Sequence, residues 1–220
     1  ALDHLSGGRA TLGIGAGWHP RDHAAFGFHL PPIGRRLDRL EEQAAAARSL
    51  LDGETVTMDG THVTLHRAVN LPAPVQPRMP LLIGGSGEKR TLRIVARYAA
   101  AWNGEGDIAT WAHKNAVLDG HCAAVGRDPR EIRRTVGLPP ASIRDTVDEA
   151  RAALAARLEL NGLPAGEAIA TAEASPLCGT GASVRAALEA YAAAGAVEAV
   201  IDWPAPFDDE TLERLAALGA

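Results

Sequence analysis

Two apolar runs that lead into glycine constrain the fold of this chain most strongly. The first is Thr11-Leu12-Gly13-Ile14, after which glycine recurs at Gly15 and Gly17, and the second is Leu81-Leu82-Ile83, which leads into Gly84-Gly85. Short apolar runs of this kind are typical of strands that are covered on both faces, as in a parallel sheet. Glycine after a strand removes the Cβ atom, so a flat ligand can approach the backbone closely. The first pattern alone fits a tight strand-to-helix turn without any ligand equally well.

The segment after the second run, Gly84 to Arg90, also predicts the start of a helix. The N–H groups and the positive dipole end of a helix start suit a phosphate group, and Lys89 and Arg90 add positive charge. The segment has neither the GxxxxGK[ST] pattern of a P-loop nor a GxGxxG with an acidic residue at the ribose distance. An ordinary strand-to-helix loop is the alternative, but two such loops in one chain favour a shared ligand.

The rest of the chain alternates between helix and strand patterns. Arg35–Leu51 has apolar residues at the helical period, and Thr55–Leu65 alternates around Asp59-Gly60, which predicts a β-hairpin with a type I′ turn. Further strands are predicted at Ala100–Asn103, Ile132–Leu138 and Val197–Trp203, with helices between them. Strands that alternate with helices predict parallel pairing, either in an open sheet or in part of a (β/α)₈ barrel. A full barrel has eight βα units and typically about 250 residues, so a chain with five such strands and a hairpin insertion is roughly three βα units short.

Parallel βα units place the C-terminal ends of their strands on one rim. We therefore predict that four strand ends gather there: Gly15–Gly17, Gly84–Gly87, Trp102–Asn103 and Asp202–Trp203. In the loop His19–Pro32, Phe26 and Phe28 are expected to act as anchors. A short polar, alanine-rich segment leads to Cys178, and no helix or strand is assigned to it.

Composition excludes several classes of protein. A chain of 220 residues with 46% hydrophobic residues can fold as one domain with a sizeable core, and its net charge of −5 argues against nonspecific nucleic-acid binding. No apolar run is long enough to cross a membrane and no signal peptide is visible, so we expect no membrane partner. Cys122 and Cys178 lie far apart, which favours free thiols and a cytoplasmic location. The eight histidines form no HExxH-type array, so no metal site is expected.

The first residues predict the end of a helix rather than the start of a domain. Ala1 to Leu5 has helical character, and Gly7-Gly8 would stop the helix. We therefore expect the chain to be a fragment. Because an incomplete barrel would leave apolar strand edges open, we also expect a homo-oligomer.

Several motifs together resemble the luciferase-like monooxygenase superfamily, and most closely its coenzyme F420-dependent oxidoreductase branch. The resemblance is collinear from residue 2 to about residue 130 and looser thereafter. The motifs are Leu2-Asp3-x-Leu5-Ser6-x-Gly8-Arg9, Leu12-Gly13-x-Gly15-x-Gly17-Trp18, Arg36-x-x-Arg39-Leu40-Glu41-Glu42, Pro80-x-x-Ile83-Gly84-Gly85-x-Gly87-Glu88-Lys89-Arg90-Thr91-Leu92 and Ala96-Arg97-Tyr98-Ala99-x-Ala101-Trp102-Asn103.

The resemblance implies a (β/α)₈ TIM barrel with its cofactor at the C-terminal ends of the strands. By this comparison the strands present look like the fourth to the eighth, and the first three βα units are absent. Residues 1–220 are then a single incomplete TIM-barrel domain, with a β-hairpin insertion at about residues 54–66.

The resemblance also implies the roles of individual residues. The segment beside the isoalloxazine-type ring looks like Gly15, Ala16 and Gly17, and the phosphate-binding loop looks like Gly84, Gly85, Ser86 and Gly87. Arg36 matches a phosphate-pairing arginine of flavin-binding relatives, although a surface arginine paired with a helix glutamate is an equal alternative. Trp18 occupies the position of a proton-donating glutamate in some relatives. Because the glutamate is absent, no catalytic acid or base is assigned. Trp18 and His19 stay as candidates, with His23 nearby, and solvated loop histidines are the alternative.

The implied function is hydride transfer between reduced F420 and an organic small molecule. At Ala16 the flavin-using luciferases carry an arginine, so the resemblance favours F420 over FMN. Two alternatives remain at this stage. One is an FMN-dependent monooxygenase that uses O₂, and the other is an inactive truncated barrel.

Overall fold

The computed structural model describes residues 1–219, in which α-helices alternate with β-strands. Contacts divide the chain into two compact units: residues 1–104 with 113–134 form unit 1, and residues 105–112 with 135 onward form unit 2. No helix of residues 1–219 is both long enough and apolar enough to cross a membrane.

The helices and strands follow one another in the order that the sequence predicts, with four additions besides a short 3₁₀ turn. The first half of the chain contains α1 (Leu2–Leu5), β1 (Leu12–Ile14), α2 (Pro20–Ala25), α3 (Ile33–Leu51), β2 (Val56–Asp59), β3 (Thr64–Ala68), β4 (Leu81–Gly84), α4 (Thr91–Tyr98), β5 (Ala101–Glu105) and α5 (Ile108–Ala124). The second half contains a 3₁₀ turn (Pro129–Glu131), β6 (Arg133–Leu138), β7 (Ser142–Ile143), α6 (Val147–Leu160), α7 (Ala165–Ala174), β8 (Cys178–Gly179), α8 (Gly181–Ala193), β9 (Glu198–Ile201) and α9 (Asp209–Leu218). The additions are α2, α7 and the two-residue strands β7 and β8.

Unit 1 is built on three parallel strands. β4 lies between β1 and β5, and Ile83 of β4 is aligned with Ile14 of β1 and with Trp102 of β5. Leu81, Ile83 and Trp102 are fully buried, as expected of strands in a covered sheet. Helix α4 connects β4 to β5 and buries an apolar stripe that includes Leu92. The predicted parallel pairing is therefore confirmed for these strands.

Helix α3 packs with the face that the helical period predicts. Leu40, Ala44 and Leu51 are buried at spacings of four and seven residues. Arg48 is also buried, and its guanidinium donates to both carboxylate oxygens of Asp52, at 2.6 and 2.8 Å. The ion pair lets the helix bury an arginine without leaving its charge uncompensated.

The predicted hairpin forms, but its turn is not the one that Asp59-Gly60 predicts. β2 and β3 are antiparallel, and Asp59 pairs with Thr64, so that four residues form the connection. The carboxylate of Glu42 in α3 accepts hydrogen bonds from the N–H groups of residues 61, 62 and 63, at 2.7–3.1 Å. These three N–H groups are satisfied by a distant acid, so the wider turn replaces the two-residue type I′ turn.

Asp3 ties the first helix to the proline-rich connection before β4. Its buried carboxylate accepts hydrogen bonds from the N–H groups of Val75 and Gln76, at 2.7 and 3.0 Å, and from the Gln76 side chain at 2.7 Å. The pKa of Asp3 is lowered, chiefly by the hydrogen bond from the Gln76 backbone. The motif that contains Asp3 thus has a structural role.

Residues 19–32 differ from the expectation. Residues 20–25 form the short helix α2, whereas Phe26 and Phe28 are 75% and 70% exposed. The prediction that these two rings anchor the loop is wrong. The loop is instead held by Arg36, as described below.

Unit 2 contains two pairs of parallel strands, β6 with β9 and β7 with β8. Helix α6 begins at Val147, and Thr146 caps it in a reciprocal capping box with Glu149. A partly buried charge cluster lies among α6, the start of α9 and the residue after β7: Asp208 contacts Arg157 at 3.0 Å and Arg144 at 3.1 Å. Asp208 also caps α9 by accepting from the Thr211 N–H.

Candidate functional site

Three neighbouring strands of unit 1 end side by side at the predicted site. Ile14 is aligned with Ile83, so Gly15 follows β1 next to the last residue of β4, Gly84. Gly84 is in turn aligned with Asn103 of β5. The predicted common rim is therefore confirmed for these three strand ends. Asp202–Trp203 belongs to unit 2 and stays a prediction.

Gly15 and Gly84 leave the ends of β1 and β4 without side chains. A Cβ atom on Gly84 would meet no atom within 4 Å, and one on Gly15 would lie 3.7 Å from the Gly84 carbonyl oxygen. Neither residue has a positive φ angle, so the backbone conformation does not require glycine at these positions. The two strand ends therefore present a bare backbone surface, which is what a flat ring needs for close approach.

Gly85 has a different role, because both its N–H group and its carbonyl group already make hydrogen bonds within the protein. Its N–H donates to the Asn103 carbonyl at 3.1 Å, and its own carbonyl accepts from the Trp102 indole N–H at 2.9 Å. Its φ angle is +123°, and a Cβ atom would lie 3.3 Å from Thr91. Gly85 is therefore needed for the shape of the loop, and its N–H is not available to a ligand.

The next residues offer backbone N–H groups at the start of α4. Within residues 1–219, the N–H groups of Gly87, Glu88 and Lys89 donate to no protein acceptor. They directly precede α4, which begins at Thr91 and adds the positive end of its dipole. Oriented N–H groups at a helix start are suited to an anion such as phosphate.

The positive side chains near this loop are engaged to different degrees. Arg90 is paired with Asp38 at 2.5 Å and donates to the Gly34 carbonyl at 3.1 Å, so its charge is largely compensated. Lys89 is exposed and has no ion-pair partner in the described chain. Of these two cations, Lys89 is the one available to a ligand.

Arg36 is bonded to the segment of residues 15–17 that follows β1. Its guanidinium donates through Nη1 to the Gly17 carbonyl and through Nε to the Pro31 carbonyl, the latter at 2.9 Å. Gly17 has a φ angle of +72°, where glycine is favoured. The glutamate pairing considered for Arg36 is not what the structure shows, since both of its acceptors are backbone carbonyls.

Trp18 and His19 follow directly after the segment of residues 15–17. The Trp18 ring is 77% exposed and lies edge-on to the His19 ring, with 4.9 Å between the centroids. His19 Nδ1 lies 2.9 Å from the Asp22 carboxylate, and His23 Nδ1 lies 2.9 Å from the His19 carbonyl. A carbonyl can only accept, so His23 carries its proton on Nδ1.

Helix α5 contacts the loop of residues 84–89, called the glycine loop below. Sequence reasoning missed this contact. Lys114 Nζ donates to the Ser86 carbonyl at 2.9 Å and to the Glu88 carboxylate at 3.3 Å, and the His121 ring lies 2.8 Å from the Glu88 carbonyl. The pKa of Glu88 is lowered, mainly by the hydrogen bond from Lys114. Nothing in the sequence pattern of α5 indicates these contacts.

The structure thus brings together Gly15, Gly84 and Asn103, and it links Arg36 to Gly17. Ala16, which lies between Gly15 and Gly17, is half-buried. The Ser86 carbonyl accepts a hydrogen bond from Lys114 of α5. Within residues 1–219, no group of three or more His, Cys, Asp or Glu side chains is arranged to hold a metal ion.

Comparison with known proteins identifies the family of this chain. Residues 1–219 match the luciferase-like monooxygenase family. An uncharacterized protein of Mycobacterium tuberculosis is 39% identical over 101 residues, which are 46% of this chain and 35% of that protein. The match thus spans about a third of the length of that relative.

Solved structures of the same fold include F420-dependent enzymes. An F420-dependent secondary alcohol dehydrogenase, solved with an F420–acetone adduct, has a TM-score of 0.78 at 18% identity over 99% of this chain and 71% of its own. The coenzyme F420-dependent tetrahydromethanopterin reductase of Methanopyrus kandleri has a TM-score of 0.78 at 19% identity, over 97% and 74%. A monooxygenase of Streptomyces bottropensis has a TM-score of 0.76 at 21% identity, over 99% and 69%.

At these identities the solved structures establish the fold alone. The family assignment rests on the match of residues 1–219, which is nearly the whole chain. The glycine-lined strand ends lie in a parallel α/β unit of that fold. The chain therefore belongs to the luciferase-like monooxygenase family.

Proposed function

We propose that this protein is an F420-dependent oxidoreductase that transfers a hydride between the deazaflavin and an organic small molecule. The observation that carries the proposal is the bare rim formed by Gly15 and Gly84, next to the unsatisfied N–H groups of residues 87–89. A flat ring and a phosphate group need such a surface and such donors, respectively. When bound, reduced F420 supplies the hydride from C5 of its ring.

In this proposal the chain's own residues bind and orient the cofactor. Gly15, Ala16 and Gly17 would lie beside the ring, and Arg36 would keep that segment in place through the Gly17 carbonyl. The backbone donors of the loop that begins at Gly84 would hold the phosphate. Gly85 and Ser86 contribute the shape of this loop, whereas Gly87 contributes an N–H group.

Trp18 and His19 are proposed to contact the substrate. Trp18 is large and exposed, and it directly follows the segment of residues 15–17. Its indole ring favours an organic substrate with apolar surface. The imidazole of His19 can accept or donate a proton at this place. His19 already lies against Asp22, which is well placed to orient its ring.

The same proposal extends to the fold. β1, β4 and β5 would correspond to the fourth, fifth and sixth strands of a (β/α)₈ barrel. Both F420-dependent relatives align with nearly all of this chain, but with only 71% and 74% of their own lengths. The activity of those complete proteins therefore applies to this chain only as a proposal.

An FMN-dependent monooxygenase that uses O₂ is the second candidate. The similarity to a monooxygenase of Streptomyces bottropensis favours it. Ala16 favours F420, because it lacks the arginine of the flavin-using luciferases, and Arg36 is already occupied by two carbonyls.

Titration with F420 and with FMN, followed by the change in absorbance of each cofactor, tests the proposal. We expect saturable binding of F420 and weaker or no binding of FMN. Gly84→Asp should abolish F420 binding, because a carboxylate would enter the ring and phosphate site, whereas Gly120→Asp on the exposed face of α5 should leave it intact. Binding of FMN alone would support the second candidate. Binding of neither cofactor would overturn both and leave an inactive chain.

A further inference from the structure

The carbonyl groups of the glycine loop, and not only its N–H groups, are held in a defined direction. Two of them point to helix α5: the Ser86 carbonyl accepts from Lys114 Nζ at 2.9 Å, and the Glu88 carbonyl lies 2.8 Å from His121 Nε2. A carbonyl can only accept, so His121 carries a proton on Nε2. Lys114 and His121 are seven residues apart and therefore lie on one face of α5, two turns from each other.

Each of these carbonyls shares a peptide plane with an N–H group of the next residue. In a planar trans peptide the C=O and N–H bonds point in opposite directions. The Ser86 carbonyl faces α5, so the Gly87 N–H faces away from α5, and the same holds for the Glu88 carbonyl and the Lys89 N–H. Neither Gly87 nor Lys89 donates this N–H to any acceptor in the described chain. Two peptide planes are thus fixed with their donors on the same side.

The Lys114 side chain that makes one of these contacts is largely buried and has a second partner. The Lys114 side chain is 15% exposed, and its ammonium group is also bonded to the Glu88 carboxylate at 3.3 Å. The charge of Lys114 is therefore partly compensated on the far side of the loop. Its effect on an anion comes through the peptide plane that it fixes rather than through direct pairing.

We propose that Lys114 and His121 are positioning residues that aim the Gly87 and Lys89 N–H groups at the phosphate of the bound cofactor. This inference rests on the proposed function, because it concerns the phosphate side of the same site. Donors that are already oriented bind an anion without the entropy cost of ordering the loop. Loss of either α5 contact removes one restraint on a peptide plane, so affinity for the phosphate should fall while affinity for the ring is unaffected.

The test compares F420 with its deazaflavin core, which lacks both the phosphate and the acidic tail attached to that phosphate. Intact F420 and its phosphate-free 8-hydroxy-5-deazariboflavin core are titrated into the wild-type protein and into Lys114→Met. We expect Lys114→Met to weaken F420 at least tenfold and to change the affinity for the core less than twofold. His121→Phe should act in the same way, whereas His121→Gln should retain most of the affinity, because a Gln side-chain amide can still donate to the Glu88 carbonyl.

His113→Gln is the matched control, since His113 lies on the same helix and contacts the Glu88 carboxylate at 3.3 Å but no loop carbonyl. It should leave both affinities unchanged. Thermal unfolding of each variant verifies that it is folded. If Lys114→Met does not fold, the comparison of His121→Phe with His121→Gln tests the proposal instead.

The outcomes separate this inference from the proposed function. Equal loss of both ligands in Lys114→Met and His121→Phe, or no loss of F420, would overturn the positioning role. A wild-type protein that binds neither ligand would overturn the proposed function and this inference with it.

Discussion

Replacing Gly84 and Gly85 separately by alanine distinguishes a glycine that a ligand needs from one that the backbone needs. At Gly84 a Cβ atom meets nothing within 4 Å and the φ angle is not positive. Removing glycine at such a position restricts the unfolded chain, so the free energy of unfolding should stay the same or rise by up to about 1 kcal/mol. At Gly85 the φ angle of +123° should cost an alanine about 1–3 kcal/mol.

The two variants should therefore diverge in stability and in binding. For a chain of this size, a loss of about 2 kcal/mol lowers the midpoint of thermal unfolding by roughly 4–8 °C, which we expect for Gly85→Ala. Gly84→Ala should unfold at or slightly above the wild-type midpoint. It should nevertheless bind F420 at least tenfold more weakly, or about 1.4 kcal/mol, because its methyl group occupies the bare rim.

Thermal unfolding monitored by circular dichroism and cofactor titration provide both numbers. Gly120→Ala is a matched control, because Gly120 lies in α5 and its Cβ atom would also meet nothing within 4 Å. It should leave the affinity for F420 unchanged. Wild-type affinity in Gly84→Ala would refute the reasoning, since a ring lying against the ends of β1 and β4 cannot ignore a methyl group there.

Three further predictions concern stability and local structure. Burial alone would raise the pKa of Asp208, but hydrogen bonds from Thr211 and Arg144 lower it below its ordinary value of 3.8. The stability that the ionised Asp208 carboxylate contributes is therefore present above pH 3.8, and it is lost as the pH falls through the lower pKa of the folded state. Asp208→Asn should cost about 3 kcal/mol in urea unfolding at pH 7, by leaving Arg157 without its acid, and should flatten the acid limb of the stability curve; a wild-type pH profile would contradict this. Glu42→Gln should speed hydrogen exchange of the N–H groups of residues 61–63, and an unchanged rate would show that the carboxylate does not hold the turn. Phe28→Ser should leave the thermal midpoint within about 1 °C, because the ring is 70% exposed, whereas a marked fall would mean that it is buried in solution.

The features that sequence reasoning predicted correctly are those set by local periodicity. The buried face of α3, with Leu40 and Ala44, follows from the helical spacing, and the strand that ends at Gly84 follows from a short apolar run bounded by glycine. The glycines of the rim could also be located, because a missing Cβ atom is visible in the sequence itself. Parallel pairing then followed from the alternation of strands and helices.

The missed features depend on residues far apart in the chain. β7 and β8 have two residues each, and Ser142 pairs with Cys178 across both α6 and α7, so no local pattern marks them. Helix α7 buries only Ala168 and Ala172, a stripe too weakly apolar to be recognised. The turn after Asp59 was predicted from a strong local signal that a distant glutamate overrides.

The same reason explains what was missed at the candidate site. The contact of Lys114 with the Ser86 carbonyl joins residues 28 positions apart, and that of His121 with the Glu88 carbonyl joins residues 33 positions apart. A lysine and a histidine on a helix are most often solvated side chains, and nothing in their spacing shows that they face a loop. Only the packing of α5 against the glycine loop brings them there.

Trp102 gives the protein an intrinsic optical reporter. Its indole is fully buried, and its N–H donates to the carbonyl of Gly85, so the emitting group is attached to the loop and shielded from the solvent. Deazaflavins and flavins are efficient acceptors of excitation energy from tryptophan, and emission should therefore fall as a cofactor occupies the rim. Trp18, Trp111 and Trp203 are the only other tryptophans, and phenylalanine at these three positions would leave a single emitter beneath the loop. Its lifetime would then follow the ordering of the loop without any attached dye.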